Sequence, residues 1–293
     1  MSTGLGLVTI QGCLNEGEKI AGLSAKKWSS DENSLQYFAE KFVPDRSALD
    51  LIDKESLRSF ATCLHPEIIA KMKEWEMRLD QIPDGGSASI YMISQLREMM
   101  KWMETGKRVD NRRQWPEFIL KNVEFLGTGQ DPFTGVVVKV PVEGGDTVYL
   151  YRCPQSVDDE LDLLQFVVEG IESEMFDIVP PLDYKGVQIP CIYADLESKL
   201  EWILGMKNGD YFISYAQQKI LFGMNQIGFA VREETAMAMT RGIHVESPPY
   251  ILSPNGESFL FWRRRPGVFS PISIFQFTKD DFKDPGDLNK IVE

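Results

Sequence analysis

The chain has 293 residues, of which 43% are hydrophobic and 26% are charged, the balance of an ordinary globular protein rather than a disordered or fibrous one. Its 31 basic and 44 acidic side chains give a net charge of -13, which would repel a phosphate backbone, so nucleic acid is not an expected partner. The sequence contains no apolar run long enough for a membrane-spanning helix and no secretory leader pattern at its start, so we expect a cytoplasmic protein.

The cysteines are widely separated, and only two histidines are present. No Cys-x-x-Cys pair occurs, so no structural metal site is predicted. The thiols of Cys13, Cys63, Cys153 and Cys191 are expected to be reduced core groups rather than disulfides. Cys63 and His65 would lie on different sides of a helix, so they do not predict a catalytic pair.

The first hundred or so residues are predicted to be mainly helical. Apolar residues recur at helical spacing over residues 66–79, with a proline in the first turn. A second helix is expected over residues 87–106, where a methionine stripe indicates core packing. The polar segment 107–116 is a candidate linker. We therefore predict two parts, a helical region of residues 1–112 and a second domain of residues 113–293.

The second part begins with β-branched and aromatic runs at residues 123–126, 136–140 and 147–151. Glycine-containing turns separate these runs, so three consecutive antiparallel strands are predicted. The elements predicted after them are a helix over 156–170, two short strands within 178–192, a short helix capped by Asp195, a long helix over 213–228, and a hairpin of 258–262 with 268–277.

This order of elements resembles the protein-kinase fold. The stretch that holds Gly127, Gly129 and Gly135 is similar to the glycine-rich turn whose backbone approaches nucleotide phosphates. The resemblance places Arg152, or alternatively Tyr151, at the phosphate-binding lysine and Glu160 at its glutamate partner. A plain hairpin loop and a solvated helix-terminal acid are the alternatives. The implied fold is α+β, with a helical N-terminal region followed by an antiparallel-sheet-containing kinase-like domain with a reduced large lobe.

The catalytic positions of the kinase pattern are changed. Arg232 and Glu233 are similar in place to the arginine and catalytic aspartate of the catalytic loop, and Ala238 stands where a metal-binding asparagine is expected. The metal-binding Asp-Phe-Gly motif is missing, so no cofactor is predicted, apart from ATP held without a firm metal site. The resemblance favours a pseudokinase-like regulatory module that binds another protein, with an active atypical phosphotransferase that uses ATP as the alternative. An interaction protein of unrelated fold is a further alternative.

A second resemblance leads to a different class of protein. Four segments are similar to C-terminal segments of serpins, namely residues 139–154, 187–206, 217–228 and 258–267. The resemblance implies a reactive loop within residues 228–248, with the bond after Arg241 as the one cleaved. Insertion of this loop into a sheet would bury Phe229, Val231 and Glu233, and an unpaired buried carboxylate is costly. We therefore rank this interpretation below the kinase-like one.

One further motif is a run of three arginines, Arg263, Arg264 and Arg265, at a predicted hairpin tip. Such a run is suited to binding a phosphate or the acidic surface of a partner protein. The alternative is a solvated turn that balances an acidic domain.

Overall fold

The computed structural model of the protein describes residues 2–79, 82–86, 89–109, 115–128, 135–153, 157, 159–177, 184–198, 200–231 and 249–292. The α-helices are α1 (Leu7–Ala21), α2 (Asn33–Lys41), α3 (Ser47–Leu51), α4 (His65–Glu74), α5 (Glu160–Gln165) and α6 (Asn289–Val292). The strands of the first half are β1 (Thr3–Gly6), β2 (Leu57–Thr62), β3 (Tyr91–Leu96), β4 (Glu98–Lys101), β5 (Lys107–Val109), β6 (Glu117–Leu120), β7 (Glu124–Thr128), β8 (Val136–Pro141) and β9 (Thr147–Arg152). The remaining strands are β10 (Met175–Asp177), β11 (Val187–Pro190), β12 (Ile192–Ser198), β13 (Lys207–Asn208), β14 (Tyr211–Phe212), β15 (Gln218–Met224), β16 (Gly228–Val231), β17 (Tyr250–Ile251), β18 (Phe259–Arg264) and β19 (Ser273–Phe277).

The largest sheet has seven strands in the order β1-β19-β18-β9-β8-β7-β10, and all its pairs are antiparallel. Successive side chains of a strand point to opposite faces, so each strand supplies two packing surfaces. One face carries Val137, Leu260 and Trp262, which pack with residues of α1, α2 and α5. The other face carries Val138 and Phe261 and packs against a second sheet. Both faces are buried, which explains the nearly continuous apolar runs of β8 and β18.

The second sheet has four strands in the order β12-β15-β16-β4, again antiparallel throughout. Aromatic rings fill the space between the two large sheets. Phe222 of β15 lies with its ring centroid 4.9 Å from Phe275 and 4.7 Å from Phe277 of β19. Phe229 of β16 lies 5.1 Å from Phe261 of β18. Each such pair contributes about 0.5–1.5 kcal/mol beyond its burial, so β15 and β16 are firmly packed against the larger sheet.

A third sheet has the order β17-β11-β6-β5, in which β17 is parallel to β11. Two two-stranded sheets, β2 with β3 and β13 with β14, complete the described strands. Strands from either side of residue 113 pair with one another, since β1 pairs with β19 and β4 pairs with β16. Each of the two large sheets therefore contains strands from both sides of the predicted boundary.

Several sequence predictions are confirmed by these elements. The strands predicted at 123–126, 136–140 and 147–151 are β7, β8 and β9, which pair consecutively. The helix predicted to begin near residue 66 is α4, with Ile68 and Met72 buried. The final hairpin is β18 with β19. The prediction that the cysteines are core residues is correct for Cys153 and Cys191, which are buried, but wrong for Cys63, which is exposed, and Cys13 is half-buried.

Other predicted helices are wrong. The segment 87–106 contains β3 and β4 instead of a helix, and the segment 213–228 contains β15 and the start of β16. Asp195 lies inside β12 and caps no helix. The kinase-like domain after a helical N-terminal region is therefore wrong, because the segments expected to build its large lobe form strands of a second sheet. In β15 apolar residues lie on both faces, and such a strand lacks the apolar–polar alternation that identifies a half-buried strand.

Candidate functional site

Two glycines of the predicted nucleotide turn, Gly127 and Gly135, lie in or beside a sheet. Gly127 is inside β7, where it pairs with Val136 of β8 and with Phe176 of β10. The carbonyl oxygen of Gly135 accepts the backbone N–H of Thr128 at 2.7 Å, while Gly129 lies outside the described residues. Gly127 is thus paired on both sides, while the turn between β7 and β8, residues 129–134, lies outside the described residues.

The predicted ion pair between Arg152 and Glu160 is not formed. Arg152 Nη2 donates instead to Glu257 Oε1 at 2.7 Å, and Glu160 begins α5 beside its N-cap residue Asp159. Burial alone would raise the pKa of Glu257, but bonds from Asn255 and the charge of Arg152 outweigh it and hold this pKa below its ordinary value. Arg152 thus serves a local ion pair near the start of β18.

The three arginines at the end of β18 do not form a solvated hairpin tip. Arg263 is fully buried, where its Nε donates to Asp146 at 2.6 Å and its Nη1 donates to Glu98. Arg265 donates to both oxygens of Asp146, at 2.8 and 3.0 Å. Arg264 points to the other side of the strand and binds Glu172. The alternation of a β-strand thus directs Arg263 and Arg265 to Asp146 and Glu98, and directs Arg264 to Glu172 on the opposite face.

Arg263, Arg265, Asp146 and Glu98 form a buried charge cluster that links the two large sheets. Asp146 lies in the turn before β9, and Glu98 begins β4 in the second sheet. Burial would lower the pKa of Arg263, but the two carboxylates more than offset this and raise its pKa above the ordinary value. Two guanidinium groups face two carboxylates, so the cluster is neutral and satisfies the rule that buried charges are paired.

A cavity of about 430 Å³ opens beside this cluster. Its lining residues are Leu51, Asp53, Glu98, Gly144, Asp146, Arg265 and Pro266.

Within the described part of the chain, no three metal-ligating side chains lie together. None of the described helices is long and apolar enough to cross a membrane.

The strand β16 occupies a position between β15 and β4 and is antiparallel to both. Phe229, Ala230 and Val231 are all buried there. We call this position of β16 between β15 and β4 its seat. The seat is tight, because a Cβ added to Gly228 would lie 2.0 Å from the carbonyl oxygen of Met100. The turn that precedes β16 is also fixed, since Trp102 Nε1 donates to the carbonyl oxygen of Asn225 at 2.9 Å.

The chain that follows β16 connects two anchored strands. β16 ends at Val231 in the second sheet, and the next described strand, β17, pairs with β11 in the third sheet. Residues 232–248 lie outside the described residues. They include the sequence-predicted Arg232, Glu233 and Arg241.

Comparisons with known proteins identify a fold similar to this architecture. No protein-family model matches the chain, and no curated protein matches it. The solved structures that it resembles are serpins. The mouse protein-Z-dependent protease inhibitor has a TM-score of 0.52 and 13% identity, with 94% of this chain and 90% of that chain covered. The thermophilic serpin tengpin, in its native state, has a TM-score of 0.51 and 10% identity, with 94% of this chain and 88% of that chain covered.

These comparisons show a serpin-like fold over nearly the whole chain. The kinase-like fold and the pseudokinase interpretation are therefore wrong, and the nucleotide roles of Gly127, Gly129, Gly135, Arg152 and Glu160 lose the resemblance on which they rested. The four serpin-like segments contain β8 with β9, β11 with β12, β15, and β18. The serpin resemblance, which we ranked below the kinase-like one from the sequence, is therefore the better prediction of the fold.

Proposed function

We propose that this protein acts by binding another protein through residues 232–248, and that it presents the bond after Arg241 to a protease without trapping the protease covalently. The observation that carries the proposal is the seat of β16 between β15 and β4. The serpin resemblance implies a loop that enters a sheet when its partner cleaves it. Here the first residues of the loop predicted from that resemblance, Phe229 to Val231, are already strand residues.

The seated strand reduces the free energy that later insertion could release. Burial of apolar area contributes about 25 cal/mol per Å², and Phe229 and Val231 are buried before any partner arrives. A trapping mechanism depends on free energy that is released when the loop enters the sheet after cleavage. The contribution of residues 228–231 to this free energy has already been released in the uncleaved protein, because these residues are already paired as β16.

Further insertion would also bury a charge. Val231 is paired with Phe222 of β15, so a strand continued for two residues would place Glu233 opposite Ile220, on the same face as Val231. That face belongs to the apolar core between the large sheets. An unpaired carboxylate there costs several kcal/mol, which favours binding and cleavage over trapping.

A second candidate function, protease inhibition by trapping, is favoured by one feature of the sequence. Thr235, Ala236, Ala238 and Thr240 are small residues of the kind that can enter a sheet. The name of the mouse relative also describes a protease inhibitor.

The two functions are separated by incubation with trypsin, which cleaves after arginine. We expect cleavage after Arg241, retention of trypsin activity and no complex that survives SDS, together with reversible binding to catalytically inactive trypsin. Arg241→Gln should abolish both the cleavage and the binding, whereas the matched control Arg232→Gln should keep them. An SDS-stable complex would establish trapping instead. Absence of both selective cleavage and binding would refute the proposed function.

A further inference from the structure

The residues after β19 fold back over the outer face of the second sheet, which contains β12, β15, β16 and β4. The helix α6 contacts β16, β15 and β4. The side chains of Leu288, which precedes α6, and of Ile291 and Val292 in α6 are almost completely buried and form one cluster with Ala230 of β16. Phe229 and Val231 face the core between the sheets. The two faces of β16 are therefore covered by different parts of the chain.

The fit between this segment and the sheet depends on a missing side chain. A Cβ added to Gly223 of β15 would lie 2.0 Å from Ile291 Cδ1 and 3.0 Å from Pro285 Cβ. Gly223 is paired directly with Ala230. The smallest two residues thus lie side by side in neighbouring strands and form a shallow depression. Ile291 lies directly over it, as close packing at native density requires.

Polar contacts tie the same segment to the turn that begins β16. Asn225 Nδ2 donates to the carbonyl oxygen of Gly286 at 3.2 Å, and Asn225 Oδ1 accepts the backbone N–H of Ile227 at 2.9 Å. Asp284 binds Arg108 of β5. Burial alone would raise the pKa of Asp284, but the N–H of Gly286 and the charge of Arg108 hold it below its ordinary value.

We propose that residues 284–292 form a strap that keeps β16 in its seat and so limits the release of residues 228–231 into the segment that binds the partner. The control of the partner-binding segment rests on the proposed function, whereas the hold on β16 does not. The strap contacts the outer face of β16, anchors its turn and spans both neighbouring strands. Loosening the strap would uncover Ala230 and weaken β16 before any other strand of the sheet.

Hydrogen exchange of the full chain tests the hold on β16. We compare Ile291→Gln, which places a polar group over Gly223, with the matched control Lys290→Gln on the exposed side of the same helix. The amides of Phe229, Ala230 and Val231 should exchange about tenfold faster or more in I291Q, because local opening becomes easier. K290Q should match the wild type. Exchange in β8 and β9 should be unchanged in both variants.

Unchanged exchange of β16 in I291Q would overturn the proposal, and so would an equal rise in all sheets. Should I291Q fail to fold, Gly223→Ala supplies the second test. Its single methyl group would displace Ile291, and it should raise exchange in β16 in the same way.

The link to function is measured separately as the rate of trypsin cleavage after Arg241. Release of β16 lengthens the segment presented to the protease, so I291Q should be cleaved about fivefold faster or more than the wild type, since cleavage follows the population of open chain. Faster exchange of β16 with an unchanged cleavage rate would overturn the control of the segment. If the wild type is not cleaved after Arg241 at all, the proposed function fails, while the hold on β16 is judged by exchange alone.

Discussion

At the scale of single residues, Arg263 stands in a buried and fully charged environment. It is fully buried, and its two carboxylate partners lie on different elements, with Asp146 before β9 and Glu98 on β4. The sequence identified the arginine run but not its partners. Asp146 and Glu98 are 117 and 165 residues away in the chain, so only long-range sheet pairing brings them together.

Replacement of Arg263 should therefore be strongly destabilising. Arg263→Met leaves Glu98 and Asp146 with one guanidinium fewer in a buried setting, and we expect a loss of about 3–5 kcal/mol in the free energy of unfolding. The matched control is Arg264→Met, whose partly exposed ion pair with Glu172 should contribute about 1 kcal/mol. Urea unfolding of both variants checks this, and equal losses would contradict the role assigned to the buried cluster.

At the scale of elements, the sequence identified some strands and missed others for one physical reason. The runs of β8 and β9 are rich in β-branched residues and are separated by glycines, which is typical of strands. β15 also has apolar residues on both faces, yet its spacing fits a helix equally well. A short apolar run buried on both sides does not distinguish the two. Its neighbours, β12 and β16, decide the outcome.

The seat of β16 gives a prediction at this scale. Gly228→Ala places a methyl group against the backbone of Met100 and Lys101, so β16 or β4 must shift, and we expect a loss of about 1–3 kcal/mol in stability. Gly170→Ala is the control, because its added Cβ would meet only the ring of Phe166 at ordinary contact distance. Thermal unfolding should show a clear fall in Tm for G228A and almost none for G170A. A similar Tm for both variants would argue against a tight seat.

At the scale of the whole molecule, the two large sheets combine distant parts of the chain. The first strand, β1, pairs with the last, β19, and β4 of the N-terminal region pairs with β16. Composition and charge correctly indicated a globular protein with a large core, but they carry no information about strand order. The predicted order of elements resembled the kinase fold, whereas four sequence segments resembled serpins, and the structural comparison supports the serpin-like fold.

The pairing across residue 113 predicts how fragments behave. Residues 1–112 and residues 113–293, expressed separately, should each fail to fold cooperatively, because each lacks strands that complete sheets in the other. Far-UV and near-UV circular dichroism with thermal scans would show this, with the full chain as the reference. A cooperative transition in the isolated 113–293 fragment would instead support two independent domains.

The arginine run at the end of β18 has one more consequence. Three identical residues in a row would ordinarily leave the alignment of a strand ambiguous, because neighbouring alignments present the same chemistry. Here carboxylates lie on both faces of β18, with Asp146 and Glu98 on one face and Glu172 on the other. A slip by one residue would place two arginines where one carboxylate stands and leave the paired carboxylates with a single arginine. The pairing of each arginine with a carboxylate therefore selects one register for this repetitive segment during folding.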